Sequence, residues 1–413
     1  MKNLFTYILV LVCILFPAKF YAQASDNSVN KTMSRGLFTQ NDTLVSQQST
    51  PQQQNSLYPD TLKGHKIIKK KRFNIVGYPY VFYKPETNFA VGASVITYFR
   101  FGKDTVSFPS KAIISGYYTI NKQWNVTLNT QFFLLNNRMN NALKFMLSND
   151  IDRFWGIGNE LDNIDTIDYN YNLSYYDATL DISAKLIESL GDELYTGIGF
   201  RFGEYFTKNY GNNPFLGDEN YEILGRDGGY ISGFGANIIF DTRDNVFFPI
   251  KGHFHQIKYM YYPKLVSNGF EYHSLLADLR FYQDIAKARI GVLGIQVYTE
   301  MTFGDVPYFK LPRLGGDKMM RGYYFGRYRD NVYYMGQVEY RKQIADRFYL
   351  VAFFGLGRVS DKFKNVTLKN LHPTYGLGLR FVLDVMEKLN IRLDIGFGDN
   401  GTSGVYFNAE EAF

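Results

Sequence analysis

Leu389-Asn390-Ile391-Arg392-Leu393-Asp394-Ile395-Gly396-Phe397-Gly398 alternates apolar and polar residues without a break. A period of two puts Leu389, Ile391, Leu393, Ile395 and Phe397 on one face of a β-strand and the charges and glycines on the other. Just upstream, Tyr375, Leu377, Leu379, Phe381 and Leu383 are set apart by Gly376, Gly378 and Arg380 in the same way. Further back, Tyr230, Phe234, Ala236, Ile238 and Phe240 alternate with Gly233, Gly235, Asn237 and Asp241. Alternation alone fits a soluble sandwich, whose greasy face meets a core, or a barrel whose greasy face meets lipid. Three features favour the barrel. The segments run to roughly ten to fifteen residues, against about five or six in soluble sheets. Tyr and Phe gather at their ends, as in interfacial girdles. The chain also opens with an export signal.

Outward from that stretch, the pattern places strands near 73–83, 88–101, 110–121, 123–135, 141–150, 171–187, 193–207, 229–242, 252–262, 269–285, 288–302, 330–344, 346–357, 373–385, 388–398 and 403–409. That makes about sixteen, and an even count is what a bacterial outer-membrane barrel needs. The links 149–170, 208–228, 303–329 and 358–372 are long, and each follows an odd-numbered strand. Links after even-numbered strands, such as Ile344-Ala345-Asp346, are mostly short. Short periplasmic turns and long outer loops are the asymmetry of this class, so the first strand runs outward. The expected fold is an all-β transmembrane antiparallel barrel.

Composition agrees. The 413 residues are 17% aromatic and 20% charged, with Gly 37, Tyr 34 and Phe 36. That aromatic content excludes disorder over most of the length. A mean hydropathy of −0.23 is too polar for a bundle of membrane helices. The net charge of +6 is spread along the chain, which does not suggest nucleic-acid binding.

Residues 1–24 read as a signal peptide: Lys2, an apolar run from Leu4 to Phe16, and Ala22-Gln23-Ala24 for cleavage. The single cysteine, Cys13, lies inside the apolar run, so no disulfide framework is expected. Residues 25–72 are polar, with a stretch Gln47 to Ser56 that carries no apolar period, and read as a flexible periplasmic tail. The tail is a candidate contact for a periplasmic accessory protein. Its basic run, Lys66 to Arg72, reads as a solvated boundary at the rim. Residues 73–413 form the barrel domain.

The longest interruption, after the eleventh strand, reads Leu311-Pro312-Arg313-Leu314-Gly315-Gly316-Asp317-Lys318-Met319-Met320-Arg321-Gly322-Tyr323. The next strand carries Gln337-Val338-Glu339-Tyr340-Arg341. Together with Asp241-Thr242-Arg243-Asp244-Asn245, Phe248-Pro249, Gly252, the Tyr83 to Thr87 turn, Gly156-Ile157-Gly158-Asn159 and Phe413, this resembles the BamA/TamA superfamily, in its bacterial surface antigen barrel domain. The resemblance implies an outer-membrane location, a sixth outer loop folded inward on an Arg-Gly-aromatic tip, and a role in assembly or translocation of outer-membrane proteins or lipids. It also implies insertion of this chain by the barrel assembly machinery, with Tyr406 and Phe413 in the C-terminal assembly signal. Between the signal and the first strand no α/β pattern of the family's periplasmic POTRA domains is found.

The chemistry of the tip can be argued without the resemblance. Arginine keeps its charge and its planar fork pairs with a carboxylate. A long loop inside a lumen loses much conformational entropy and needs a fixed anchor. Glu339, on the polar face of the next strand, is the expected partner of Arg321, while Gly322 allows a tight backbone and Tyr323 packs on lumen glycines. Gln337, Arg341, Arg380, Arg392 and Asp394 share polar faces and are expected to line the lumen. Gly355 stands where the family often has an acid that also contacts the loop arginine, which implies a weaker anchor.

Enzyme chemistry has little to stand on. His253 and His255 share a strand face, near Ser232 or Ser274 in the pattern, but no third partner, Gly-x-Ser-x-Gly elbow, His-Glu-x-x-His helix or phosphate loop accompanies them. No catalytic residue, metal or cofactor is expected. Two functions stay open: a biogenesis or translocation barrel that works at the seam between first and last strands, and a passive pore or structural barrel plugged by its loop.

Overall fold

The computed structural model describes residues 73–84, 88–101, 109–160, 168–185, 193–286, 291–385 and 388–413. The signal peptide, the tail and Pro85 to Thr87 lie outside the described residues.

The chain is a succession of strands. The first six are β1 (Phe73–Lys84), β2 (Asn88–Phe99), β3 (Ser110–Thr119), β4 (Trp124–Leu134), β5 (Met139–Arg153) and β6 (Asn170–Lys185). Then come β7 (Leu194–Lys208), β8 (Gly228–Asp241), β9 (Gly252–Tyr262), β10 (Tyr272–Asp284) and β11 (Gly291–Gly304). Two short strands, β12 (Arg313–Leu314) and β13 (Tyr328–Arg329), pair with each other inside the following link. The last five are β14 (Val332–Ala345), β15 (Phe348–Ser360), β16 (His372–Asp384), β17 (Leu389–Phe397) and β18 (Ser403–Ala409). Apart from β12 and β13, all are joined in chain order into one 16-stranded antiparallel sheet. Each strand passes its N–H and C=O groups to its neighbours, the one sheet arrangement a hydrocarbon layer tolerates. The sheet curls until β18 comes beside β1. Among the described residues no ladder joins those two strands.

Burial runs inside out relative to a soluble protein. On β16 and β17, Leu377, Leu379, Leu393 and Ile395 are exposed, while Arg380, Arg392 and Asp394 between them are fully buried. The apolar face therefore looks outward and the polar face inward, as lipid outside and packed side chains within require.

Two expectations need correction. Leu389 was assigned to the greasy face and is instead completely buried. Leu389 opens β17 at the short-turn end, where it packs on Ile96, Tyr98 and Phe247; the ladder slip between Val382 and Asp384 lies on the neighbouring β16. The fifth strand is also longer than 141–150, because the ladder with β6 continues through Asp150 to Arg153, where polar residues hide the alternation.

The link 242–251 lies at the short-turn end yet is long. Its shape is set by two side chains that cap backbone amides. Asp244 Oδ1 accepts from the Ile250 and Lys251 amides at 2.8 and 3.1 Å, and Asn245 Oδ1 accepts from those of Phe247 and Phe248 at 2.8 Å each. The two rings turn inward from opposite sides. Phe247 packs on Ile96, Tyr98 and Leu389, and Phe248 packs among Tyr282, Tyr349 and Phe413. An apolar floor thus crosses this mouth. Aromatic residues also fill the long-loop end, where Tyr308 and Phe309 pack against Tyr171, Tyr205, Tyr262 and Tyr272.

Candidate functional site

The site is built where the tip of the β11–β14 link meets the inward faces of β14 to β18. The backbone comes first. Gly322 has φ +112°, a conformation that disfavours any side chain, and a Cβ there would fall 2.6 Å from the Phe397 carbonyl carbon. Gly396 yields from the other side: a Cβ on it would lie 2.7 Å from the Arg321 carbonyl carbon. The two glycines let the loop backbone touch the end of β17. The Gly322 amide donates to the Tyr406 hydroxyl at 2.9 Å, and the Thr374 hydroxyl donates to the Arg321 carbonyl. Tyr323 lies against Gly398; its hydroxyl donates to the Pro373 carbonyl at 2.7 Å and accepts from the Asp399 amide at 2.8 Å. Burial raises the Tyr323 phenol above its ordinary pKa, so the hydroxyl keeps the proton it donates.

With the backbone fixed, the Arg321 guanidinium meets two carboxylates: Nη2 to Glu339 Oε2 and Nη1 to Asp394 Oδ2, both at 2.7 Å. It also lies 3.5 Å from the centre of the Phe353 ring, a cation–π contact strengthened by loss of water. Arg321, Glu339 and Asp394 are completely inaccessible to solvent. A weaker anchor was expected from Gly355; the second carboxylate comes instead from Asp394, two strands farther on.

The pairing extends through the remaining inward charges. Glu339 Oε1 accepts from Arg341 Nε at 2.7 Å, and Asp394 accepts from Arg380 Nη1 at 2.5 Å and from Arg392 Nη1 at 2.8 Å. Arg380 Nε reaches Glu411 at 2.8 Å, and Arg341 Nη2 donates to the Phe413 carbonyl at 3.0 Å. Arg392 Nη2 pairs with Asp317 of the loop at 3.0 Å. Four guanidinium groups therefore face four carboxylates. Buried charges are tolerable only when so compensated, and removing one member leaves another stranded.

Of the residues singled out from the sequence, Arg321, Gly322, Tyr323, Glu339, Arg341, Arg380, Arg392, Asp394 and Tyr406 meet in this cluster. Gln337 stands aside: it donates to Gln296 at 2.7 Å and to the Lys318 carbonyl at 3.1 Å. Phe413 packs under Arg341 at the short-turn end. Glu411, Asp317, Thr374 and Phe353 escaped the sequence reading. Glu411 follows the last strand and Asp317 sits in a loop, where no period marks them; nothing in the sequence sets Phe353 apart from the other aromatic residues of its strand. His253 and His255 lie on the outward face and pack on Phe281, with His255 also stacked on Phe240. Ser274, by the register, faces the opposite side of the wall. No metal-binding cluster occurs among the described residues. The cluster ties the β11–β14 link to the inward faces of β14 to β18.

The fold can now be set beside known proteins. BamA from Haemophilus ducreyi lacking POTRA domains 1–3 matches with TM-score 0.53 and 12% identity, over 82% of this chain and 70% of that one. CdiB from Acinetobacter baumannii matches with TM-score 0.54 and 10% identity, over 82% of this chain and 60% of its own. CdiB from Escherichia coli gives 0.50 and 11%, over 82% and 62%. The chain thus spans less than two thirds of either CdiB, and at these identities the likeness is one of fold. A search of curated sequences returned no significant match. The profile of the Omp85 superfamily domain matches residues 118–413, well over half of the chain. This protein belongs to the Omp85 superfamily and is a β-barrel of the bacterial outer membrane.

Proposed function

We propose that this barrel assembles or translocates outer-membrane proteins or lipids, and that its working part is the seam between β1 and β18. The observation that carries the reading is the weakness of that seam. Neighbouring strands pair over up to 15 residues, β17 and β18 pair over 7, and among the described residues β18 and β1 share no ladder. A strand edge left with unpaired backbone groups is a template for an incoming strand. The link 305–331 serves as an inward-folded outer loop, supported by the contacts of Arg321 with β14 and β17. It steadies the wall beside the seam, since Gly322 bonds Tyr406 on β18 itself. Residues 1–24 act as export signal, and the tail 25–72 contacts a periplasmic accessory protein.

The test uses the one replaceable cysteine. In a Cys13→Ser background, Ile75→Cys on β1 and Val405→Cys on β18, both exposed outward, are linked by a reducible bis-maleimide. Cells relying on the linked protein should show altered outer-membrane protein or lipid composition, restored on reduction. Unaltered composition overturns the reading. The alternative, a plugged passive or structural barrel, draws on the packed network and apolar floor; steady conductance of the purified protein in planar bilayers, raised by Arg321→Ala, would favour it.

A further inference from the structure

The outward wall carries a feature that the seam does not use. On the lipid-facing side of β11, β14 and β15 lies a groove of about 500 Å³, within the range of ligand sites. Its floor is Gly336, where an added Cβ would meet nothing within 4 Å. Val297, Val338 and Leu356 wall it, and Leu368 and Leu371 overhang it from the β15–β16 link. That link is bent over the wall by Tyr334, whose hydroxyl donates to the Thr367 carbonyl at 2.6 Å and accepts from its amide at 3.1 Å. Leu368 remains 83% exposed although it sits on an apolar hollow.

The link that overhangs the groove is basic. Arg358 stands next to Tyr334 in the ladder and donates through Nη1 to the Lys369 carbonyl at 2.5 Å. Its Nε is buried and has no hydrogen-bond partner. Lys362, Lys364 and Lys369 are exposed on the same link, against Asp361 as the one acid between Arg358 and Asn370. An apolar slot open to hydrocarbon, overhung by a link that carries a guanidinium and three exposed lysines, fits an acyl chain joined to an anionic head. The link lies at the long-loop end, which in this class is the outer leaflet. Several cations at one rim suit more than one phosphate, and a guanidinium pairs with phosphate in a planar fork.

We propose that this groove binds a multiply phosphorylated, acylated glycolipid of the outer leaflet, one acyl chain lying over Gly336 and a phosphate at Arg358. The site is separate from the seam, so either reading can fail alone. The experiment is native mass spectrometry of the full chain in neutral detergent, titrated with diphosphoryl lipid A, phosphatidylglycerol or phosphatidylethanolamine. Wild type should retain one lipid A at about tenfold lower concentration than either phospholipid. Gly336→Leu should fill the slot and abolish that preference, and Arg358→Gln should weaken lipid A about fivefold while leaving phosphatidylethanolamine unchanged. Leu368→Asn, at an exposed position, guards against misfolding of the glycine variant and should also reduce retention; heat-modifiability on gels confirms folding of each. Equal retention of all three lipids, or full retention of lipid A by Gly336→Leu and Leu368→Asn, overturns the proposal.

Discussion

On β14, β16 and β17 the inward Glu339, Arg341, Arg380, Arg392 and Asp394 are all completely buried, whereas across the barrel the inward Lys144 of β5 is exposed and Arg201 of β7 keeps 33% of its side chain accessible. Both halves carry charge on the same face of the same sheet. The difference is what lies on top. Where the tip Asp317 to Tyr323 packs down, water is excluded and each ion needs a protein partner. Where it does not reach, Lys144 is left to water, and Arg201 keeps partial access to water while pairing with Asp177 at 2.8 Å. Charge in a barrel interior is thus stabilised by two separate devices, and a mutation should reveal which one is operating.

The largest effect is expected at the dry half. Arg321→Ala strands Glu339 and Asp394 and should cost about 3–5 kcal/mol, read as a lower temperature for loss of heat-resistant mobility and faster proteolysis between Gly315 and Arg329. Glu339→Ala should act similarly. The double variant should fall short of the sum of the singles, because the shared pair is lost once; strict additivity would mean the two charges do not act together. Next comes Gly396→Ala, whose methyl group meets the Arg321 backbone. It should cost about 1–3 kcal/mol through overpacking and expose the loop to protease while circular dichroism of the sheet is unchanged.

How far these sites could be read beforehand follows from their periods. The alternation of β16 and β17 gave the inward set Arg380, Arg392 and Asp394, because a two-residue repeat sorts faces without any knowledge of partners. Glu339 could be matched to Arg321 since it lies on the polar face of the next strand. Asp394 as a second partner could not, for strand register and barrel curvature decide which inward residues converge, and neither is local. The burial of Leu389 is not legible, because it depends on Phe247 from a distant link packing over the strand end. The inward turn of Phe247 and Phe248 has no period to announce it; it goes with the capping by Asp244 and Asn245.

Beside β6 and β7 stands Lys310, whose ammonium is 2.8 Å from Asp177 and almost buried. Burial and the neighbouring Arg201 lower its pKa to about 7, against the pull of Asp177. Between that value and the ordinary lysine range near 10.5 the unfolded chain binds the extra proton, so this group makes the fold more stable as pH rises through the window. Amide exchange around Tyr308 and Phe309 should slow relative to its intrinsic rate from pH 7 to 9, and Lys310→Met should flatten that trend. Tyr205 and Asp177, which Lys310 also contacts, are the groups whose substitution would shift it. The smallest effect belongs to the wet half. Lys144→Met should change stability by no more than about 0.5 kcal/mol, as for a solvated site; a loss as large as that of Arg321→Ala would erase the distinction between the halves.

The charge network also has a place in time. Arg321 and Asp394 are 73 positions apart, Arg341 and Phe413 72, and Glu411 joins from beyond the last strand. A ribosome therefore finishes the loop and Glu339 long before Asp394 exists, and export delivers the pieces in the same order. Until Asp394 and Glu411 arrive, Arg321 of the loop and Arg341 of β14 have only Glu339 to share. Completion of the wall and fastening of the loop become one event, and a chain broken off early carries an unfastened loop for proteases to recognise.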